Sequence, residues 1–95
     1  MITGKQRSYL KSLANSIDPI VNIGKNGITE NLIKQADGAL EARELVKFKI
    51  LNNVDLEANN TASELAEILG AEFVVSIGRK FVLYRESDEK IIKLP

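Results

Sequence analysis

The chain has 95 residues, 44% of them hydrophobic and 27% charged, with thirteen basic and thirteen acidic side chains. That is the size and composition of one small folded domain, here residues 1–95. It has no Cys and no His, which excludes disulfide frameworks, thiolate or imidazole metal sites, and Ser-His or Cys-His nucleophilic pairs.

The zero net charge hides an asymmetry. Residues 1–49 carry eight basic and five acidic groups, and residues 50–95 carry five basic and eight acidic ones. A basic half is the electrostatic signature of a polyanion partner, although most such patches are only solvated surface. The N-terminus is basic at Lys5, Arg7 and Lys11 without an apolar stretch behind it, so no export signal is predicted. The absence of Cys adds the expectation of a cytoplasmic protein.

Thr3-Gly4-Lys5-Gln6 is a capping box that opens the first helix. Leu10, Leu13 and Ile17 then recur at helical spacing, and Asp18-Pro19 stops the run, because the residue before proline disfavours helical backbone. Residues 20–23 read as a short strand and 24–27 as a loop. A second helix starts near Ile28 or Thr29, with Leu32, Ile33, Ala36, Ala39 and Leu40 on its apolar face. Residues 45–51 alternate, Val46, Phe48 and Ile50 against Lys47 and Lys49, which predicts a strand with one covered and one wetter face. Thr61-Ala62-Ser63-Glu64 is a second capping box, expected to start the third helix, and Gly70 ends it. Residues 73–77 and 80–84 flank Gly78-Arg79 and predict a hairpin. Residues 86–95 read as a polar tail with a short apolar return at Ile91-Ile92.

The order α-β-α-β-α-β-β predicts an α+β (α/β-like) fold. The two crossovers are expected to pair their strands in parallel and to be right-handed, the hairpin to add an antiparallel edge, and the helices to lie mainly on one face of a small mixed four-stranded sheet.

Gly24-Lys25-Asn26-Gly27, between a strand and a helix, is the segment whose shape suggests a ligand. Glycines at both ends allow a sharp turn and a close approach by another backbone. The helix that follows directs free N–H groups and its positive dipole end at the same place, and Lys25 adds a full charge. A Gly-x-x-Gly loop that clamps a nucleic-acid backbone is the device of KH domains. As a bare pattern it is more often only a turn. Few aromatic side chains are free to stack on bases, so backbone contact is favoured over base stacking.

In its ordered motifs the chain resembles the single-domain bacterial CRM proteins of the YhbY type. The resemblance is carried by Ile2-Thr3-Gly4-Lys5-Gln6-Arg7, by Tyr9-Leu10-Lys11, and by the run from Pro19 through Gly27. Ala39-Leu40-Glu41, Glu44-Leu45-Val46-Lys47, Ile77-Gly78, Val82-Leu83-Tyr84-Arg85 and Leu94-Pro95 complete it. It implies a fold similar to the C-terminal domain of bacterial translation initiation factor three. It also implies RNA binding through the loop and association with precursors of the large ribosomal subunit. The residues themselves favour a non-catalytic factor, with no cofactor or metal expected.

The RNA-contacting candidates are then Lys5, Arg7, Lys11, Gly24, Lys25, Asn26 and Gly27, with Lys47 and Lys49 secondary. Lys5, Arg7, Lys11 and Lys25 are expected to form one continuous basic surface. Two departures narrow the footprint: Asn15 and Ser16 stand where family members often carry His, and residues 55–72 are acidic. That acidic stretch supports a competing reading, a protein-interaction module that docks on ribosomal particles through the third helix. Asp55 and Glu57 lack the supporting cluster a metal enzyme needs.

Overall fold

The structure, a computed structural model, describes residues 2–95. Each helix begins where a side chain can satisfy free backbone N–H groups. The first, α1 (Gly4–Ala14), opens on the predicted box: Thr3 Oγ1 accepts from the Gln6 N–H at 3.1 Å, and the Gln6 side chain accepts from the Thr3 N–H at 2.9 Å. The helix ends at Ala14, short of the expected stop at Asp18-Pro19. The Ser16 N–H and hydroxyl both donate to the Leu13 carbonyl and close it, and Ile17 packs on the α1 cluster from the connector. Then β1 (Pro19–Ile23) leads through the 24–27 loop into α2 (Glu30–Arg43), capped by Thr29. After β2 (Leu45–Ile50), α3 (Ala58–Leu69) starts three residues before the expected box. Glu57 is its cap, accepting from the Asn60 N–H at 2.8 Å, while the Thr61 hydroxyl donates to the Glu57 carbonyl. A carboxylate at that position serves the helix end as well as a hydroxyl does. Gly70, with φ 64°, ends α3 as expected.

The hairpin is β3 (Glu72–Ile77) and β4 (Lys80–Tyr84), turning at Gly78 with φ 61°. The sheet order is β1-β2-β4-β3. β1 pairs with β2 in parallel; β2–β4 and β4–β3 pair antiparallel. The first crossover pairs its strands in parallel as expected, but β2 and β3 do not pair: β4 enters between them, and β3 becomes the antiparallel edge. The reason is burial. Four of the five β4 residues are buried, so it needs cover on both faces, whereas β3 with its half-buried pattern is suited to an edge.

Two helices cover one face of the sheet and one helix covers part of the other. Leu32, Ala36 and Leu40 of α2 and Ala62, Leu65 and Leu69 of α3 pack on Val21, Ile23, Val46, Phe48, Phe81 and Leu83. Phe48 and Phe81, directly opposed across β2 and β4, stack with ring centroids 4.9 Å apart. On the opposite face α1 sets Leu10 and Ala14 against Leu45, Val74, Val82 and Tyr84.

Residues 86–95 are not a free tail. Ile92 and Leu94 pack against the α1 cluster, and Ser87 is buried. They are held by Glu44, wholly buried at the C-cap of α2 with φ 68°. Its Oε2 accepts from the Ser87 N–H (2.8 Å), the Ser87 hydroxyl (2.7 Å) and the Ile91 N–H (3.0 Å), and its Oε1 from the Ile92 N–H (2.6 Å). A positive φ costs a non-glycine residue about 1–3 kcal/mol, and here it turns the carboxylate toward four donors. Burial pushes the Glu44 carboxyl up, but the hydrogen bonds from Ile92, Ser87 and Ile91 outweigh it and hold the group below its usual value.

Candidate functional site

The 24–27 loop closes with the Gly27 N–H donating to the Gly24 carbonyl at 2.9 Å, which leaves Lys25 and Asn26 exposed at its tip. Its two glycines have different reasons. Gly27 sits at φ 66°, a conformation an L side chain adopts only with strain. At Gly24 an added Cβ would meet nothing within 4 Å, and the backbone is not left-handed. Neither packing nor conformation within the fold asks for glycine at position 24.

Beyond the loop, the Thr29 hydroxyl accepts from the Leu32 N–H at 3.1 Å and fixes the start of α2. The first N–H groups of a helix lack intrahelical partners, so this end of α2 presents donors and a positive partial charge. Glu30 in that first turn offsets part of the dipole, although its side chain is exposed and approaches Lys34 at 4.0 Å. Loop and helix start border an open hollow of about 380 Å³ that Asn22, Asn31 and Gln35 also line. Among the described residues lining it, Lys25 is the one that carries charge. The arrangement offers amide donors, backbone N–H groups and one ammonium to an anion, with no positioned nucleophile or general base.

At Lys5 and Arg7 the basic edge of α1 does not join this loop. Arg7 is half-buried, and its guanidinium donates to the Phe73 carbonyl near the start of β3. That point lies on the far edge strand and toward the opposite end of the sheet from the end of β1, where the loop begins. Four residues along a strand and three strand spacings across put it roughly 20 Å from the loop. The expected continuous surface through Arg7 is thus corrected: the structure spends Arg7 on holding α1 to β3. Lys5 and Lys11 remain exposed on α1. Lys5 follows closely on Ile2, whose N–H approaches the Glu72 carboxylate at the start of β3 at 3.5 Å, so it too belongs to the end away from the loop.

Lys47 and Lys49 project from β2 on the α1 side of the sheet, where α1 ends and leaves the sheet open. Lys80 joins them, a residue the sequence reading did not single out. It stands opposite Lys49 only because β4 pairs with β2, a pairing no local signal announces. Arg79 lies beside them with its guanidinium donating to the carbonyls of Ile50, Leu51 and Val54, which ties the 51–54 connector to the hairpin. Among the described residues no three His, Cys, Asp or Glu side chains are grouped to hold a metal ion.

Residues 2–85 match the family model described as the CRS1 / YhbY (CRM) domain. The chain is similar to the Bacillus subtilis protein named "Probable RNA-binding protein YqeI", 45% identical over 96 residues and 100% of both chains. It is also similar to a Haemophilus influenzae protein named "RNA-binding protein", 36% identical over 95 residues, covering 99% of this chain and 95% of that one. Among solved structures it matches the solution structure of the hypothetical protein SAV1595 from Staphylococcus aureus. The TM-score is 0.84, with 51% identity and all of both chains covered.

Proposed function

The chain belongs to the CRS1 / YhbY (CRM) domain family, and on that premise we propose that it is a non-catalytic RNA-binding protein that associates with precursors of the large ribosomal subunit in the cytoplasm. Two relatives that span nearly the whole of it carry RNA-binding names. The observation that carries the reading is Gly24: the fold leaves open space where its side chain would be, beside a helix start and a lysine. A phosphate group can approach that backbone closely, take N–H donors from the loop and the first turn of α2, and gain the charge of Lys25.

Asn26 and Gly27 shape the same seat. Lys5 and Lys11 contribute to the positive field that draws a polyanion in, and Arg7 contributes by holding α1 in place. These groups read phosphate positions rather than base edges, so sequence preference is expected to be weak.

The test is crosslinking in cells followed by sequencing of the attached RNA. Enrichment of a region of large-subunit ribosomal RNA supports the proposal; a flat profile, or messenger RNA alone, overturns it. One observation favours docking through a ribosomal protein as a second reading. α3 carries no basic residue, and its Ile68 is 48% exposed next to Glu67. Retention on nuclease-treated particles is the result that favours it.

A further inference from the structure

The sheet face that α1 leaves open carries charges with no internal partner. A cleft of about 430 Å³ lies there, with Lys47, Lys49, Arg79 and Lys80 in its lining and, among the described residues, no acid. The ion pairs among the described residues are Lys34–Glu30, Arg85–Asp37 and Arg85–Glu41, so none of these four cations is in one. Arg79 donates to carbonyls, which orders it without neutralising it.

The register makes a row of this face. Asn22 on β1 stands opposite Lys49 on β2, Lys49 opposite Lys80 on β4, and Lys80 opposite Ile77 on β3. Like charges directly opposed across strands are destabilising, and the Lys49–Lys80 pair keeps that penalty unless an anion lies between the two ammonium groups. Asn22 also lines the hollow of the 24–27 loop, so the row starts where that hollow ends. It spans three strand spacings, about 14 Å, longer than a point anion needs. At its other end Ile77 is 70% exposed, an apolar surface beside a lysine.

We propose that a single RNA strand seated at the 24–27 loop continues across this row, its phosphates on Lys49, Lys80 and the flanking Lys47 and a base resting on Ile77. A duplex does not fit this chemistry, because its bases are stacked and cannot lie on an apolar side chain. The inference rests on the RNA-binding reading above and adds to it a path, a strand type and three lysine contacts.

Length dependence tests it. A Gly-x-x-Gly loop holds about four nucleotides, so anisotropy titrations compare single-stranded oligoribonucleotides of about four and about ten. Lys49→Gln/Lys80→Gln removes two phosphate contacts. It is expected to bind the longer oligomer about 25-fold more weakly at 0.1 M salt, with the slope of log affinity against log salt shallower by about 1.4. Affinity for the shorter oligomer is expected to stay at the parental value. Lys34→Gln/Lys93→Gln removes the same charge elsewhere and is expected to leave both affinities unchanged. The path is refuted if the row variant binds the longer oligomer like the parent, or if the control loses as much. A parent that binds neither oligomer refutes the RNA-binding reading, and the path with it. Glutamine keeps most of the lysine stem, and thermal unfolding of the row variant is expected to match the parent or rise slightly as the opposed charges go.

Discussion

Replacing Gly24 by Asp should remove RNA binding at unchanged stability, whereas Gly27→Asp should lower both. The difference is worked from the backbone. A Cβ at position 24 meets nothing within 4 Å and needs no left-handed conformation, so the folded state tolerates the side chain. At position 27 the backbone is left-handed, φ 66°, and a Cβ lies 3.8 Å from Leu56 Cδ1, an ordinary contact. The cost there is therefore conformational, about 1 kcal/mol for a residue such as Asp that tolerates this region better than most. In a domain of this size 1 kcal/mol moves the melting temperature by about 4–8 °C. Lys25→Ala sets the scale for binding. One lost phosphate contact on a single strand makes the salt slope shallower by about 0.7, equivalent to roughly fivefold weaker binding at 0.1 M salt. Gly24→Asp should exceed that, because it puts a negative charge and a side chain where the phosphate would lie. The assays are thermal unfolding by circular dichroism and anisotropy titration of a single-stranded oligoribonucleotide at several salt concentrations. If Gly24→Asp binds as tightly as the parent, the loop is only a connector. If it unfolds the protein, the glycine serves a turn that the open geometry does not reveal.

Glu44→Gln should lower stability by about 2–4 kcal/mol, read by chemical denaturation, because an amide NH₂ must then face one of the N–H groups that the carboxylate accepts. The Glu44 carboxyl sits below its usual value in the fold, so its stabilisation is complete above the unfolded value near 4.5 and is lost as pH falls through the folded value. Melting temperatures of parent and Glu44→Gln should therefore converge below about pH 4.5; a gap constant down to pH 2 would refute this. Gly38→Ala should stabilise by about 0.5–1 kcal/mol in the same denaturation assay, because the site is an exposed helix position where a Cβ meets nothing within 4 Å.

Local signals are sufficient for most of what depends on neighbours in the chain. The Thr3–Gln6 box, the alternation of 45–50 and the glycines at 70 and 78 are short-range devices, and each acts where its residues stand; the first helix, by contrast, ends at Ala14, short of the stop expected at Asp18-Pro19. The 24–27 loop belongs with them, because its turn, its cap and its lysine all lie within six residues. The start of α3 differs from the capping-box expectation because Glu57 and Thr61 are both competent near a helix end, and only the path of the connector selects between them.

What tertiary structure decided is which distant groups share a surface. The apolar content of β4 says it must be buried, but its insertion between β2 and β3 is a property of the whole sheet, and it alone brings Lys80 opposite Lys49. Arg7, Lys11 and Lys25 are alike as charges in sequence. Their roles diverge because the first turns of α1 lie over β3, where the Phe73 carbonyl accepts from the Arg7 guanidinium. The same holds for Glu44. In sequence it is one acid among thirteen, and it becomes a clamp only when residues 87–92 return to it with four donors. Periodicity and capping act over a few residues and can be read along the chain. Strand order, and the partner a charged group finds, depend on contacts between residues far apart in the chain, and those exist only once the sheet has formed.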